Sequence, residues 1–589
     1  MHNYRNFICI REVLPIVNIC EISPPKKISG LSSICVSFDY NPYIVDSLKT
    51  LPTYHYHAKD KIWEVPLCYL GRLLDNLTFL DDIQLKLLNT PENGEITFNK
   101  KYNLEPLSET EKVSFKASPF PHQLEAIDFL LQQEKSLLLD GCGVGKSLEM
   151  ILFAETLKKR GVIDHCLVIT GIAGLRGNWE KEINKFSTES SIVIGKYTTR
   201  SGTTRYRSME KRAEQLKNKI DEFFVLLNVE SLRDTKIIDA IKKSENKFNL
   251  ILFDEIHRCG ASNTTQAQNL LKLDAPFKVG ATGTLVVNSP ESCRMPLFWT
   301  NNDFATLTNF RSQYLCYGGF GNKQITGTKN LEVLREEIAN CSIRRTLHDV
   351  RDDMPKLTID PEYLEMDDEQ QKFYEAIKEG VKEEADKIEL KSGNLLALTT
   401  RLRQATACPS VLTTQTVESI KVNRAFEYIE EITSQGEKVV VFSMFKEPLN
   451  VLASKLQGFR FSLNTGDTPD DIAFTNMTRF QEDPNEQVFL GTFGKCGTGF
   501  TLNSSMYLIC IDTPYTFSLF EQGYQRVYRI SNTRPAFIKV LVCSDTIDER
   551  VQQIVETKKE LGEYLVDGAD MQQTDGRLMD ELRSIIKNL

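Results

Sequence analysis

At 589 residues, with 71 Lys and Arg against 80 Asp and Glu, the chain has the length of several domains and an ordinary globular composition. No apolar run approaches a membrane span, the N-terminus lacks a secretion-signal pattern, and the 14 cysteines never fall in Cys-x-x-Cys spacing, which disfavours zinc sites and disulfide frameworks and fits a reducing compartment. The net charge of −9 argues against indiscriminate nucleic-acid binding but leaves a local basic groove open.

Residues 1–112 read as a small α+β unit. Ile44, Leu48 and Leu51 are spaced for one helix face, and Trp63 lies in an extended stretch, Lys61-Ile-Trp-Glu-Val-Pro66. Tyr40, Tyr43, Trp63 and Tyr69 supply either a small separate core or an aromatic surface for unpaired bases.

Phe120-Pro-His-Gln123 precedes an amphipathic helix over 124–132. The short, continuous apolar run 136–139 then reads as a buried strand, which Asp140 ends. A turn follows, Gly141-Cys-Gly-Val-Gly-Lys-Ser147, and then an apolar-periodic helix over 148–156. Strand, glycine turn and helix together aim backbone N–H groups at phosphate. Gly143 and Gly145 let the backbone pass close to the anion. Lys146 is placed to reach β- and γ-phosphates, and the Ser147 hydroxyl to ligate Mg²⁺. The full GxxxxGK[ST] pattern fails because position 140 is Asp; the GxGK[ST] core is intact. The candidate nucleotide-binding residues are therefore Gly141, Cys142, Gly143, Val144, Gly145, Lys146 and Ser147, with Gln123 upstream. A Gln amide is donor and acceptor at once and can read adenine; a plain helix-entry turn fits equally well.

Beyond the loop, apolar runs at 166–170, 223–227, 250–253 and 277–280 alternate with helical segments, which implies a doubly wound parallel sheet. Asp254-Glu255-Ile256-His257 closes one of these strands. Carboxylates at a strand's C-terminal end sit where open α/β sheets bind ligands. Asp254 suits Mg²⁺, and Glu255 suits orienting and deprotonating an attacking water. Ala281-Thr-Gly-Thr284 follows the next strand, and its hydroxyls could sense the γ-phosphate through Asp254 and Glu255.

A second α/β lobe begins near 420, with strands at 439–442, 488–490, 507–511 and 537–542. Arg526 and Arg529 are three apart, so on a helix they share a face and can cross a cleft to a γ-phosphate. A basic run over 196–219 holds eight Lys and Arg against two Glu; a loop and helix there read as phosphate contact or as solvated surface. The charge-rich stretch 367–391 reads as a solvated helix.

Taken in order, Gln123, Gly-Val-Gly-Lys-Ser147, Asp254-Glu-Ile-His257, Ala281-Thr-Gly-Thr284, Gly491-Thr-Phe-Gly-Lys-Cys-Gly-Thr-Gly499 and Gln525-Arg-Val-Tyr-Arg529 resemble a superfamily-two helicase motor. The detail resembles the Swi/Snf ATPases. Asp140-Gly-Cys-Gly-Val-Gly-Lys-Ser147 is similar to their DEMGLGKT, Trp179-Glu-Lys-Glu-Ile-Asn-Lys-Phe186 to NWxxEIxKF, and Ser342-Ile-Arg-Arg-Thr346 to LRRTK. Leu402-Arg-Gln404 with Cys408-Pro409, and Thr546-Ile-Asp-Glu-Arg550, continue the match, which runs from about 113 to 560. Tyr528 stands where the family has His, and Gln525 where it has Asp. Residues 1–112 resemble the HARP region of annealing helicases through Leu51-Pro52 and the Lys61–Pro66 stretch.

The resemblance implies an α/β fold of two RecA-like doubly wound lobes with helical insertions. The expected domains are a HARP-like accessory unit at 1–112, an ATP-binding lobe with insertion at 113–350, a linker and helical protrusion at 351–418, a second lobe at 419–560 and a helical tail at 561–589. It further implies an ATP- and Mg²⁺-dependent DNA translocase. Lys146, Glu255, Arg526 and Arg529 are then catalytic, Arg529 ahead of Arg526, and Ser147 and Asp254 hold the metal. The expected partner is duplex, forked or partly single-stranded DNA, with replication or recombination proteins beside it, in a monomer without a membrane. The compartment expected is the cytoplasm of a bacterium or virus-infected cell, or the nucleus of a eukaryote. Fork remodelling or strand annealing is the leading task. Strand separation, removal of DNA-bound proteins, or a non-hydrolysing scaffold are the alternatives.

Overall fold

In a computed structural model of the protein, the described residues run from 102 to 567, apart from 103, 172–174, 200–203, 262–263, 288, 301–306, 319–323, 388–391, 414–416 and 498–500. Before 102 they comprise 16–22, 33–38, 40–51, 54–58, 61–66, 73, 77 and 84–88. Tyr69 lies outside them.

Two parallel sheets carry the fold. In the first, the strands stand in the order Ser342–Ile343, Lys135–Leu138, Phe277–Ala281, Phe248–Asp254, His165–Thr170, Phe224–Asn228, Ser191–Val193. Every pairing is parallel. Successive residues of one strand enter different cores. Ile251 and Phe253 pack into one cluster, Leu250 and Leu252 into another. A strand buried on both faces has no polar face to show, which is why these segments read as continuous apolar runs. The second sheet runs Leu357–Leu364, Ala536–Cys543, Tyr507–Cys510, Val439–Ser443, Val488–Thr492, Phe461–Asn464, again wholly parallel. The expected two-lobed α/β fold is thus present.

Three expected boundaries move. The strand Leu357–Leu364 was expected in a linker, yet it pairs along its whole length with Ala536–Cys543 and forms the edge of the second sheet. Its half-exposed, alternating pattern hides it from a search for continuous apolar runs. The helical insertion expected in the first lobe is not purely helical, since Leu315–Gly318 and Gln324–Thr328 form an antiparallel hairpin. Residues 102–110 belong with the first lobe rather than with the unit before it. Leu107 is in that lobe's core, the Tyr102 and Leu107 amides bond to Glu134 and Asp128, and Arg160 donates to the Glu105 and Pro106 carbonyls.

The helix Ile547–Gly562 spans the boundary expected at 560. Its end and the following turn Glu563–Asp567 return to the first lobe, where Leu561 and Leu565 enter the core and Asp567 pairs with Arg344 at 2.6 Å.

The N-terminal unit is a five-stranded mixed sheet with the helix Pro42–Lys49. Ile44, Leu48 and Leu51 are buried, as their spacing predicts, and Trp63 is buried between Tyr54 and Tyr56. Tyr40 and Tyr43 are instead exposed. The Gln313 amide donates to the Leu51 carbonyl and ties the unit to the first lobe. Among the described residues no helix is long and apolar enough to cross a membrane.

Candidate functional site

Three adjacent parallel strands, Lys135–Leu138, Phe277–Ala281 and Phe248–Asp254, end side by side. Their C-terminal ends therefore bring the glycine loop, Thr282 and the Asp254–Glu255 pair together. The loop feeds the helix Lys146–Lys159, whose N-terminus points its free amides and positive dipole end into the loop. Gly145 sits at φ +117°, and a Cβ there would collide with the Gln123 amide nitrogen, so only glycine fits. Gln123 donates to the Val144 carbonyl at 3.3 Å and accepts from the Phe120 amide at 3.0 Å. It thus braces the loop. The Lys146 ammonium donates to the Asp140 and Gly141 carbonyls at 2.7 and 3.1 Å, folded across the mouth of the loop. Cys142 is buried beside Gly283, and burial pushes its thiol up to about 11.

Glu255 occupies the left-handed region at φ +59°, a costly conformation for a residue with a Cβ. Gly171 accommodates it: a Cβ there would lie 2.7 Å from that of Glu255. His257 Nδ1 lies 3.1 Å from the Glu255 carboxylate and 2.8 Å from the Thr282 hydroxyl. Burial alone would raise the Glu255 carboxyl, but the His257 contact and the Lys146 and Arg526 charges outweigh it and hold it at about 2. Asp254 moves the other way. Burial and the Glu255 charge push it up to about 7, against a hydrogen bond of 2.8 Å from the Trp179 indole. The Thr282 hydroxyl reaches Glu255 at 3.4 Å; among the described bonds it does not reach Asp254. The Ser147 hydroxyl bonds the Glu182 carboxylate, which burial lifts above its usual range.

The second lobe closes over this edge. Gln522 Nε2 stands 3.5 Å from Glu255 Oε1, and the Thr284 and Ser518 hydroxyls share a hydrogen bond of 2.5 Å. Arg526 and Arg529 do not lie on a helix as expected. The helix Phe517–Tyr524 stops short of them, and they occupy the turn beyond its C-terminus. That turn still brings them to the phosphate loop, with the Arg529 Cα 3.8 Å from where a Gly143 Cβ would be. Burial, then the Arg526 charge, lowers the Arg529 guanidinium to about 9. Burial also lowers Arg526, against the neighbouring Cys142 and Glu255 charges. Tyr528 packs with Val144 of the loop, Leu347 and Met354, while its hydroxyl donates to the Pro355 carbonyl at 2.8 Å. The substitution of Tyr for His thus replaces a polar ring with an apolar plug between the lobes.

Sequence reasoning assigned no role to the residues that hold the loop from behind. Arg345 grips the buried Asp140 with two nitrogens, reaches Glu149 at 3.3 Å and donates to the His122 carbonyl. Its own carbonyl accepts from the Gly141 amide at 2.7 Å. Arg344 donates to the Leu139 and Gly283 carbonyls at 2.7 and 2.9 Å. The paired arginines were visible in Ser342-Ile-Arg-Arg-Thr346, but their targets lie from 61 to more than two hundred residues away in the chain. Trp179 was likewise legible only as a residue of a pattern.

The arrangement fits a nucleotide with Mg²⁺. The loop amides and Lys146 suit phosphate oxygens. Ser147 and Asp254 offer the hard oxygen donors Mg²⁺ takes alongside phosphate and water. No group of three or more His, Cys, Asp or Glu that could hold a metal ion exists among the described residues.

Comparison with known proteins agrees with this geometry. Residues 122–411 match the SNF2-related domain and residues 421–531 the helicase conserved C-terminal domain, about two thirds of the chain together. Relatives include an uncharacterized ATP-dependent helicase of Mycoplasma genitalium, 25% identical over 432 residues that cover 72% of this chain and 40% of the relative. Another is the ATP-dependent helicase FUN30 of Saccharomyces cerevisiae, 22% identical, covering 84% of this chain and 51% of the relative. The chain spans about two fifths to a half of the length of these relatives. A Sulfolobus solfataricus SWI2/SNF2 ATPase core solved with dsDNA is 22% identical at a TM-score of 0.35, covering 79% of this chain and 95% of that one. The domain matches begin at 122, so the HARP-like likeness of the N-terminal unit gains nothing from them. With both domain matches falling on lobes that meet at one phosphate loop, the chain belongs to the Swi/Snf-type, superfamily-two helicase-like ATPases.

Proposed function

We propose that the protein hydrolyses ATP at the lobe interface and uses lobe closure to step along DNA. The observation that carries this reading is the convergence of Gln522, Arg526 and Arg529 from one lobe on the loop and carboxylates of the other. A nucleotide held there is a bridge whose presence favours closure. Lys146 leaves its loop carbonyls for the β- and γ-phosphates; Ser147 and Asp254 would hold Mg²⁺, which when bound would supply charge neutralisation for the triphosphate. Glu255, ionised and fixed by His257 and Thr282, orients the attacking water, and a carboxylate held so low positions better than it deprotonates. Arg529, with Arg526 behind it, meets the charge that develops on the γ-phosphate.

Relatives named ATP-dependent helicases support ATP-driven work on a nucleic acid. The N-terminal unit, with Tyr40 and Tyr43 exposed, supports fork remodelling or annealing, because exposed aromatics stack on unpaired bases. ATPase rates with duplex, single-stranded, forked and RNA ligands test the reading, beside strand-displacement and annealing assays. Duplex stimulation without strand displacement is the expected result. ATP-dependent displacement would make the protein a strand-separating helicase. No turnover with any ligand would leave a scaffold. Lys146→Ala should abolish turnover, and Glu255→Gln should keep nucleotide binding and lose hydrolysis.

A further inference from the structure

The basic run over 196–219 folds into something the motor site does not use. Lys196–Thr198 and Thr204–Tyr206 form a short antiparallel ribbon, followed by the helix Met209–Lys217. In register, Arg205 faces Tyr197 and Tyr206 faces Lys196. The ribbon is fastened to its helix: the Gly195 amide donates to Gln215 at 2.8 Å, the Arg207 amide donates to the Gly195 carbonyl, and Arg212 covers Gly195.

The charges on it are unevenly spent. Lys196 pairs with Glu180, while Glu210 pairs with Lys236 and Lys219 with Asp221. Arg205, Arg207, Lys211 and Lys217 are exposed and have no carboxylate partner among the described residues. Four unneutralised cations in one module repel one another. In a chain of net charge −9 they form a local field opposite to the whole. Tyr197 and Tyr206 are part-exposed, each with a guanidinium 5.8 Å from its ring, Arg207 and Arg212 respectively. Arg212 turns its N–H groups inward to the Arg207 carbonyl and Ser231, which leaves the exposed Arg205 and Arg207 guanidiniums for a phosphate. The module also hangs on the working part of the motor. Glu180, which holds Lys196, is next in the helix Leu175–Phe186 to Trp179, whose indole bonds Asp254.

We propose that this ribbon and helix form a second nucleic-acid contact, outside the ATP site, that holds the phosphate backbone of duplex DNA through Arg205, Arg207 and Lys211. The inference rests on the DNA-motor reading above. Its test is the salt dependence of duplex binding by the full chain. Each phosphate contact contributes about 0.9 to the slope of log K against log salt. The variant Arg205→Ala/Arg207→Ala/Lys211→Ala should therefore lower that slope by roughly 2 to 3 units. Its ATPase rate at saturating duplex should match the unaltered chain. A control, Lys372→Ala/Lys382→Ala/Arg550→Ala, removes the same charge from exposed positions outside the first lobe and should lower the slope far less. Arg205→Glu alone, a single surface change, should weaken duplex binding without shifting the melting temperature. An unchanged slope, or an equal loss in the control, overturns the proposal. Loss of slope on single-stranded DNA with none on duplex overturns it too. If the unaltered chain binds duplex with no salt dependence and hydrolyses ATP regardless of DNA, the motor reading falls first and the ribbon with it.

Discussion

Removing the Arg345 side chain probes how the phosphate loop is held. In the folded protein its guanidinium meets two carboxylates with no solvent exposure, Asp140 and Glu149, and is itself only 12% exposed. Burial and the Asp140 charge already drive the Glu149 carboxyl well above its usual range. Asp140 is then the charge that Arg345→Ala orphans. Deleting one partner of a buried pair costs about 3–5 kcal/mol, because the other is left uncompensated in a poor solvent. For a unit of this size each kcal/mol is worth roughly 2–4 °C, so the first lobe should melt roughly 10 °C lower. The double variant Arg345→Ala/Asp140→Asn should regain more than half of that. Its amide carries no charge, and what stays lost is hydrogen bonding, about 1 kcal/mol per bond. Thermal melts of the three chains, read by circular dichroism, make the comparison. Since the Gly141 amide bonds the Arg345 backbone and not its side chain, nucleotide affinity should fall less than stability. A melting temperature for Arg345→Ala within about 2 °C of the unaltered chain, or no rescue in the double variant, would refute the argument.

Other expectations are as definite. Arg529→Ala should leave ATP affinity nearly intact and cut the DNA-stimulated rate by about 10³-fold, measured by single-turnover hydrolysis, since the residue acts in the closed geometry. Thr284→Val removes the 2.5 Å bond to Ser518 between the lobes. A loss of about 1 kcal/mol should lower the stimulated rate roughly fivefold and spare the melting temperature. The Arg160 bond, opposed by partial burial, holds the Glu111 carboxyl at about 2, below its reference of 4.5. That stability is present above pH 4.5 and is lost as pH falls toward 2, so the gap in melting temperature between the unaltered chain and Arg160→Ala should narrow across that window. A chain starting at residue 102 should fold and hydrolyse ATP but lose any preference for forked DNA, whereas one starting at 111 should be less stable, because it forfeits Leu107. Unchanged fork preference in the first would make the N-terminal unit a structural appendage.

Much of this was legible in the sequence. Strands such as 166–170 and 439–442 announced themselves, because burial on both faces leaves an unbroken apolar run. Glycine loop, Asp254-Glu255 and the two arginines are local signals of local chemistry. The edge strand Leu357–Leu364 was not legible, since an edge is half wet and its residues alternate irregularly. Arg526 and Arg529 were expected on a helix and lie on a turn. Spacing of three fits a helix, but the helix stops at Tyr524 and Gln525 begins a turn. The grip of Arg345 on Asp140 joins residues 205 apart, and nothing in either neighbourhood names the other.

The return of the C-terminal helix to the first lobe has a mechanical meaning. The backbone crosses between the lobes once between 343 and 357, and again where Leu561, Leu565 and Asp567 settle on the first lobe. One crossing is a tether, free to swivel. Two separated crossings define an axis, like the two pins of a door. Motion about that axis swings the arginines toward or away from the phosphate loop, whereas sliding or twisting must first tear Leu565 from its core. Under the proposed ATP-driven cycle, two such pins would favour rotation over other motions of the lobes.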